Sequence, residues 1–423
     1  MRAEMTADYP NRATSLLRGM SWSVLGHGVS ALSQWGILVV LIKHLSPTDV
    51  GQFALALAVI GPLFALTNLQ LAGLLASDPR QSTPREAYLV LRATMTGTAY
   101  VILAGMCGAR LLKQDLWLPV MLLGLVKVCE AASDLVYGFL QQRERIDQVG
   151  MLQCVRGAAT LAAVWIGVSL APQMFAALMS LLLCQLALTL CVDWRALRQA
   201  RDAFRPRVLW PLPHGTREAV HGLWQTALPM GLVVGMNLLT INIPRYWVAG
   251  TLGDAAVGAF AALSYVMTAG NMLTSAVGQA AVPRLASLHQ NDSPAFKRLY
   301  LRLMGVAALI GMVGIAGALV AGRPLLALLY APSYGEYEGV FLWIMIAAAV
   351  LYLVAMSGCV LTAARAFRAQ AWATLGSTIC TALACHVLIP RHGLVGAAMA
   401  LGVGFAVKLA GQGMAWVLLA ARR

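Results

Sequence analysis

Residues 116–140 read LWLPVMLLGLVKVCEAASDLVYGFL, and this stretch decides how the chain folds. It is long and apolar enough for a membrane-spanning helix, yet Lys127, Glu130 and Asp134 lie on one face of it at helical spacing. Each charge at mid-bilayer costs ~2.5–3.5 kcal/mol on the insertion scale, so the three groups must face protein, water or cargo. Two interpretations remain open: a polar transport pathway, or a structural ion pair of Lys127 with Glu130 or Asp134.

The composition supports a membrane protein, because 59% of the residues are hydrophobic and only 11% are charged, against ~25% charged in soluble domains. Runs of about 20 apolar residues predict an all-α polytopic membrane protein with about twelve transmembrane helices. The loops between them are too short for a folded soluble domain, so any chemistry must lie between helices. The predicted spans are 18–42, 50–75, 87–109, 116–140, 149–170, 173–193, 223–244, 253–279, 300–321, 338–361, 369–389 and 394–418.

The positive charge is a signal of membrane topology. Of the 31 Lys and Arg residues, 21 lie on the side of the membrane that holds the N-terminus, six lie on the opposite side and four lie within spans. This bias, with an even number of spans, predicts that the N and C termini are both cytoplasmic. The net charge of +14 therefore favours contact with anionic lipid headgroups in the bilayer over a nucleic-acid partner.

The eight cysteines all fall in apolar spans without a CxxC pair, which favours packing roles and predicts no metal site. The sequence likewise predicts no cofactor.

An internal repeat divides the chain into halves. LSPTDVGQFA at 45–54 and LGDAAVGAFA at 252–261 match at an offset of 207 residues, and each follows the first helix of a six-helix set. Two six-helix bundles of the same orientation are a known plan for transporters. We therefore predict an N-terminal six-helix bundle at 1–193, a basic cytoplasmic linker at 194–222 and a C-terminal six-helix bundle at 223–423.

Polar side chains in other spans indicate a hydrated interior. His27 and Gln34 share a helix face in the first span, and Asn237 lies in the seventh. The cations within spans outnumber the carboxylates, which suits an anionic cargo such as a diphosphate. Any one cation could instead extend its charge to the interface or pair structurally. The candidate cargo-binding cations are Arg92, Lys127, Arg156 and Lys408.

Two motifs give the chain a family resemblance. Ser15-Leu-Leu-Arg-Gly-Met-Ser-Trp22 leads into the first span, and Leu45-Ser-Pro-Thr-Asp-Val-Gly-Gln-Phe-Ala-Leu-Ala56 follows it. Together they resemble the N-terminal signature of Wzx-type O-antigen and polysaccharide flippases, which belong to the multidrug/oligosaccharidyl-lipid/polysaccharide (MOP) exporter superfamily. The resemblance is clearest over residues 15–75.

The resemblance implies two MATE-like lobes forming a V, alternating access, and a location in the bacterial inner membrane. It implies as cargo a polyprenyl-diphosphate-linked oligosaccharide, the repeat unit of an O-antigen, capsule or exopolysaccharide. It also implies a cationic central cavity, which chemistry and depth assign to the four cations above. The expected partners are a polysaccharide polymerase and glycosyltransferases.

Other functions remain as alternatives. A drug or metabolite cation antiporter would favour an acidic residue in the first helix, and none occurs between Asp8 and Asp49. A membrane polymerase or ligase would need a sizeable outer loop, so we expect a transporter and not an enzyme. No Walker motif is present, which makes an ion gradient the expected energy source. Glu130 and Asp134 are the coupling candidates, and Asp134 is favoured because Lys127 stabilises ionised Glu130.

Overall fold

The computed structural model describes residues 9–78, 83–193, 195–196, 215–291, 293–364 and 366–421. All regular secondary structure in these ranges is helical. A π-helical turn, Leu188–Asp193, continues α7, and short 3-10 turns at Gln114–Leu116 and Pro332–Tyr337 precede α5 and α11. The α-helices are α1 Tyr9–His44, α2 Pro47–Asn68, α3 Leu71–Ala76, α4 Arg85–Gly108, α5 Trp117–Gln142, α6 Ile146–Leu170, α7 Met174–Ala187, α8 Thr216–Thr251, α9 Asp254–Asn291, α10 Ser293–Leu329, α11 Glu338–Ala363 and α12 Phe367–Ala421.

These helices confirm the predicted all-α polytopic membrane class. Among the described residues, eleven helical segments are long and apolar enough to cross a membrane. One of them, Pro47–Ala76, consists of α2 and α3 together. Their outer faces are strongly apolar: Leu170 is 81% exposed and Val320 is 87% exposed. Such residues match the hydrocarbon of a bilayer, whereas in water they would promote aggregation.

The last segment, α12, supplies two of the predicted spans. Its 55 residues would extend for about 80 Å if straight, far beyond the ~30 Å hydrocarbon layer. Instead the backbone turns at Gly393, which has φ 56° and ψ −133°, a region open to glycine. The two limbs then run antiparallel, because Ser377 Oγ donates to the Gly404 carbonyl over 2.7 Å and Gly411 faces Ala373. The helix is therefore a hairpin, and the described helices provide twelve crossings.

The described helices form two compact units. The first comprises Met1–Leu45 and Leu63–Val234, and the second comprises Ser46–Pro62 and Gly235–Arg423. The division falls inside α2, beside a proline, and inside α8, beside a glycine. Each of these two helices thus contributes to both units.

Glycines allow close helix packing in the first unit. On α6, Gly150 and Gly157 lie against the backbone of α1, where a Cβ at Gly157 would come within 2.9 Å of Ser33 Oγ. Gly138 of α5 lies against Ala72 of α3 in the same way, with 2.9 Å between a built Cβ and the Ala72 Cα. Small residues of this kind let membrane helices approach until their backbones touch. The helices of this unit can therefore bring short polar side chains into contact.

In the second unit the two copies of the internal repeat meet. A Cβ at Gly258 would lie 3.0 Å from the Gly51 backbone nitrogen, and a Cβ at Gly51 would overlap the Asp254 carbonyl. The flanking Phe53 and Phe260 are both buried. Equivalent positions of the repeat, 207 residues apart, thus form one helix contact.

Candidate functional site: a polar interior between helices

Arg156 is the centre of a polar network in the first unit. Its Nη2 contacts Asp193 Oδ2 at 2.5 Å and donates to Ser133 Oγ at 2.7 Å. Nη1 donates to Gln185 Oε1 at 2.7 Å, and Nε donates to the Tyr137 hydroxyl at 3.0 Å. The ion pair is enclosed, since the Arg156 and Asp193 side chains are 14% and 2% exposed. The guanidinium therefore joins α5, α6 and the π-helical end of α7, with few donors left for a ligand.

The network extends along α5 to a more open ion pair. Gln185 Nε2 donates to Glu130 Oε1 at 3.3 Å, and Lys127 Nζ donates to Glu130 Oε2 at 2.6 Å. The Lys127 and Glu130 side chains remain 30% and 37% exposed. The ion-pair interpretation of this face thus holds for Lys127 with Glu130, and the pair is also accessible.

Asp134 belongs to a separate cluster. Its Oδ2 accepts from Arg92 Nη2 at 2.8 Å, and Arg92 Nη1 donates to Asn68 Oδ1 at 2.6 Å. Arg92 is 5% exposed, whereas Asp134 is 47% exposed. The charges that share a face in the sequence therefore point to different partners: Glu130 toward α7, and Asp134 toward α4 and the end of α2.

Beside Asp134 the second span is interrupted. Leu69 and Gln70 adopt positive φ values of 53° and 54°, which costs non-glycine residues ~1–2 kcal/mol each. The helix therefore stops at Asn68 and restarts at Leu71. A cavity of about 210 Å³ opens at this break. It is lined by Ala65, Asn68, Gln70, Ala72, Asp134 and Val234.

The second unit holds intramembrane cations without carboxylate partners. Lys408 Nζ donates to Asn237 Oδ1, and Arg245 Nη1 donates to Asn242 Oδ1 at 3.1 Å. In the part of the chain that the structure describes, neither cation has a carboxylate within 4.0 Å. The three ion pairs described above for the first unit, by contrast, leave no net charge among their members. Among these described clusters, the excess positive charge therefore lies in the second unit.

Two of the other predicted polar residues lie on a helix surface. His27 and Gln34 are exposed on α1, and Asn237 is bonded to Lys408 as described. The predicted basic linker, 194–222, falls mostly on residues 194 and 197–214, which are outside the described part of the chain.

The sequence patterns do not predict several members of these clusters. Asp193 ends the predicted span 173–193, yet it is buried against Arg156. A periodic signal was present on α7, where Gln185, Thr189 and Asp193 follow at four-residue intervals and share one face. Ser133 and Tyr137 continue the Glu130 face of α5 in the same way. No comparable pattern marks Asn68 and Gln70, because the break in the second span contains neither glycine nor proline.

Comparison with known proteins decides the family. The model of the polysaccharide biosynthesis protein family matches residues 16–289. The chain belongs to this family. The capsular polysaccharide biosynthesis protein CapF of Staphylococcus aureus is 20% identical over 398 residues, which cover 93% of this chain and 97% of CapF.

Solved structures share the fold of this chain. An outward-facing multidrug resistance MATE family transporter of that superfamily matches with a TM-score of 0.68 and 14% identity, covering 96% of each chain. The inward closed lipid II flippase MurJ matches with a TM-score of 0.72 and 8% identity, covering 96% of this chain and 88% of MurJ. The predicted MATE-like fold is confirmed.

Proposed function

We propose that this polysaccharide biosynthesis protein is a flippase of the Wzx type. It would move a polyprenyl-diphosphate-linked oligosaccharide across the bacterial inner membrane by alternating access. The observation that carries the proposal is the combination of family membership with the MOP fold. For a membrane-spanning chain of this family, a lipid-linked sugar is the cargo that we propose. The likeness to CapF and MurJ supports the same cargo class.

The charges of the interior support an anionic headgroup as part of the cargo. Lys408 has no carboxylate partner among the described residues, and Lys127 is the most exposed of the paired cations. We therefore propose each of these two lysines, within its own unit, as a contact for the anionic headgroup. Arg92 is paired with Asp134 and Arg156 with Asp193. We therefore propose that these arginines hold helices in position and affect cargo binding only indirectly, through neighbouring side chains.

A transport assay tests the proposal. Purified protein in proteoliposomes should transfer a fluorescent polyprenyl-diphosphate-linked oligosaccharide between leaflets faster than protein-free vesicles do. Lys408→Ala and Lys127→Ala should each slow transfer about tenfold, as expected for the loss of one charge-assisted contact. Their abundance should hold, since removing a charge eases membrane insertion. Arg298→Ala, which removes an exposed arginine of α10, is the matched control.

The same assay separates the alternatives. Wild-type rates in both lysine variants would refute the headgroup assignment. No acceleration by the wild-type protein, together with efflux of cationic drugs from the same vesicles, would favour the antiporter. Extension of the glycan on its lipid carrier would favour a polymerase.

A further inference from the structure

The interrupted second span carries an inference that rests on the proposed function. We propose that the cavity at the break binds one sugar ring of the lipid-linked oligosaccharide. We name it the break cavity, and its lining is Ala65, Asn68, Gln70, Ala72, Asp134 and Val234. On the predicted topology it lies in the cytoplasmic half of the membrane, where the cargo would enter.

The break is built into the structure at a cost in backbone energy. Leu69 and Gln70 are consecutive non-glycine residues, and both adopt left-handed backbone dihedral angles. Strain of this kind concentrates at functional sites, and interrupted spans form binding sites in transporters. The neighbouring helix α8 packs closely against the residues just before the break. A Cβ at Gly231 of α8 would lie 2.5 Å from the Leu66 carbonyl oxygen. The surrounding helices therefore hold this geometry in place.

The chemistry of the lining selects a neutral, hydroxylated ligand. The carboxylate of Asp134 disfavours a phosphate group, and Arg92, 2.8 Å behind it, disfavours a bound cation. Asp134 Oδ1 has no hydrogen-bond partner among the described residues. The side-chain amides of Asn68 and Gln70 add hydrogen-bond donors and acceptors. Arg92 Nη1 orients the Asn68 amide by donating to its Oδ1 over 2.6 Å. Planar carboxylate and amide groups of this kind can bond to adjacent sugar hydroxyls as acceptors and donors.

The size of the break cavity is consistent with one ring. Its volume of about 210 Å³ lies below the ~300–1,000 Å³ of pockets that enclose drug-sized ligands. An oligosaccharide or a polyprenyl chain would not fit as a whole. The rest of the cargo must then lie outside this cavity.

Binding measurements on protein in nanodiscs test this inference. The probes are undecaprenyl diphosphate alone and the same lipid bearing one N-acetylglucosamine, galactose or glucose. We expect the wild-type protein to bind at least one glycosylated lipid about tenfold more tightly than the bare lipid, a gain typical of one or two hydrogen bonds. Gln70→Ala, which removes the amide, and Ala65→Leu, which fills the cavity, should abolish this difference while leaving the affinity for the bare lipid unchanged.

Ser77→Ala is the matched control, because Ser77 is exposed just after α3 and, among the described residues, its hydroxyl bonds only to the Leu74 carbonyl. It should keep the wild-type preference. Equal affinity of the wild-type protein for the bare lipid and for every glycosylated lipid would overturn the sugar site while leaving the flippase proposal intact. A preference that persists in both Gln70→Ala and Ala65→Leu would place the sugar elsewhere. Failure of the wild-type protein to bind any of these lipids would instead count against the flippase proposal itself.

Discussion

At the scale of single residues, burial separates the cations of the first unit by role. Arg156 and Asp193 are enclosed and mutually bonded, whereas the Lys127 and Glu130 pair is partly open. As a candidate cargo-binding cation, Arg156 would be expected to lose export but not protein level on replacement by alanine. With Asp193 2% exposed, the substitution would instead leave a buried carboxylate without its cation, and this usually costs ~3–5 kcal/mol.

We therefore expect Arg156→Ala to lower both membrane abundance and the thermal unfolding midpoint of the purified protein. The double variant Arg156→Ala, Asp193→Ala should recover part of the loss, because no buried charge then remains unpaired. Arg298→Ala again serves as the control. Normal abundance and stability of the single variant, with export lost, would return Arg156 to the cargo-binding group.

The two carboxylates of α5, Glu130 and Asp134, differ in how many of their oxygen atoms are hydrogen-bonded. Asp134 is paired with Arg92 just as Glu130 is paired with Lys127, so the preference drawn from Lys127 alone no longer distinguishes them. Both oxygens of Glu130 have partners, but Asp134 is 47% exposed and its Oδ1 has no hydrogen-bond partner among the described residues. Access for a proton still favours Asp134 as the coupling group.

The expected result is that Asp134→Asn makes lipid-linked oligosaccharide transfer insensitive to an imposed pH gradient, while Asp134→Glu keeps part of the sensitivity. Glu130→Gln should retain the gradient dependence. The measurement compares initial transfer rates in proteoliposomes with and without the gradient. If Asp134→Asn responds to the gradient as the wild type does, Asp134 serves only packing and pairing.

At the scale of helices, the repeated glycines have a steric role. Gly51 and Gly258 allow the starts of α2 and α9 to touch through their backbones, so any side chain at Gly51 forces the helices apart. Overpacking of this kind typically costs ~1–3 kcal/mol.

We expect Gly51→Leu to lower the thermal midpoint and the membrane abundance. Gly61→Leu is the matched control on the same helix, since nothing lies within 4 Å of a Cβ there. Thermal unfolding in detergent, followed by size-exclusion chromatography, measures both variants. Equal behaviour of the two variants would show that the helix starts are not in close contact.

At the scale of the whole molecule, the orientation of the chain in the membrane is a prediction that an accessibility experiment can test. The distribution of Lys and Arg predicts cytoplasmic termini and a cytoplasmic 194–222 segment. A cysteine introduced as Arg201→Cys should resist an impermeant thiol reagent added outside intact cells, and a cysteine at Ser46 should react. The background of native cysteines is first replaced by alanine. Labelling at position 201 from outside would reverse the orientation.

The sequence by itself determined the helical membrane class, the positions of the spans and the family resemblance. These depend on local properties, because ~20 apolar residues are needed to cross the hydrocarbon whatever the neighbours are. Periodicity also placed Lys127 and Glu130 on one face, three residues apart, close enough to pair. The internal repeat was visible as well, although its role as a helix contact was not.

Only the tertiary structure decided which carboxylate neutralises which cation. Arg92 and Asp134 are 42 residues apart, and Arg156 and Asp193 are 37 apart, so their pairing depends on how whole helices pack. The break at Leu69 and Gln70 likewise has no local signal, since residues that ordinarily favour a helix adopt positive φ there under tertiary constraint. The candidate sugar cavity follows from that break, and for this physical reason it could not be predicted from the order of the residues.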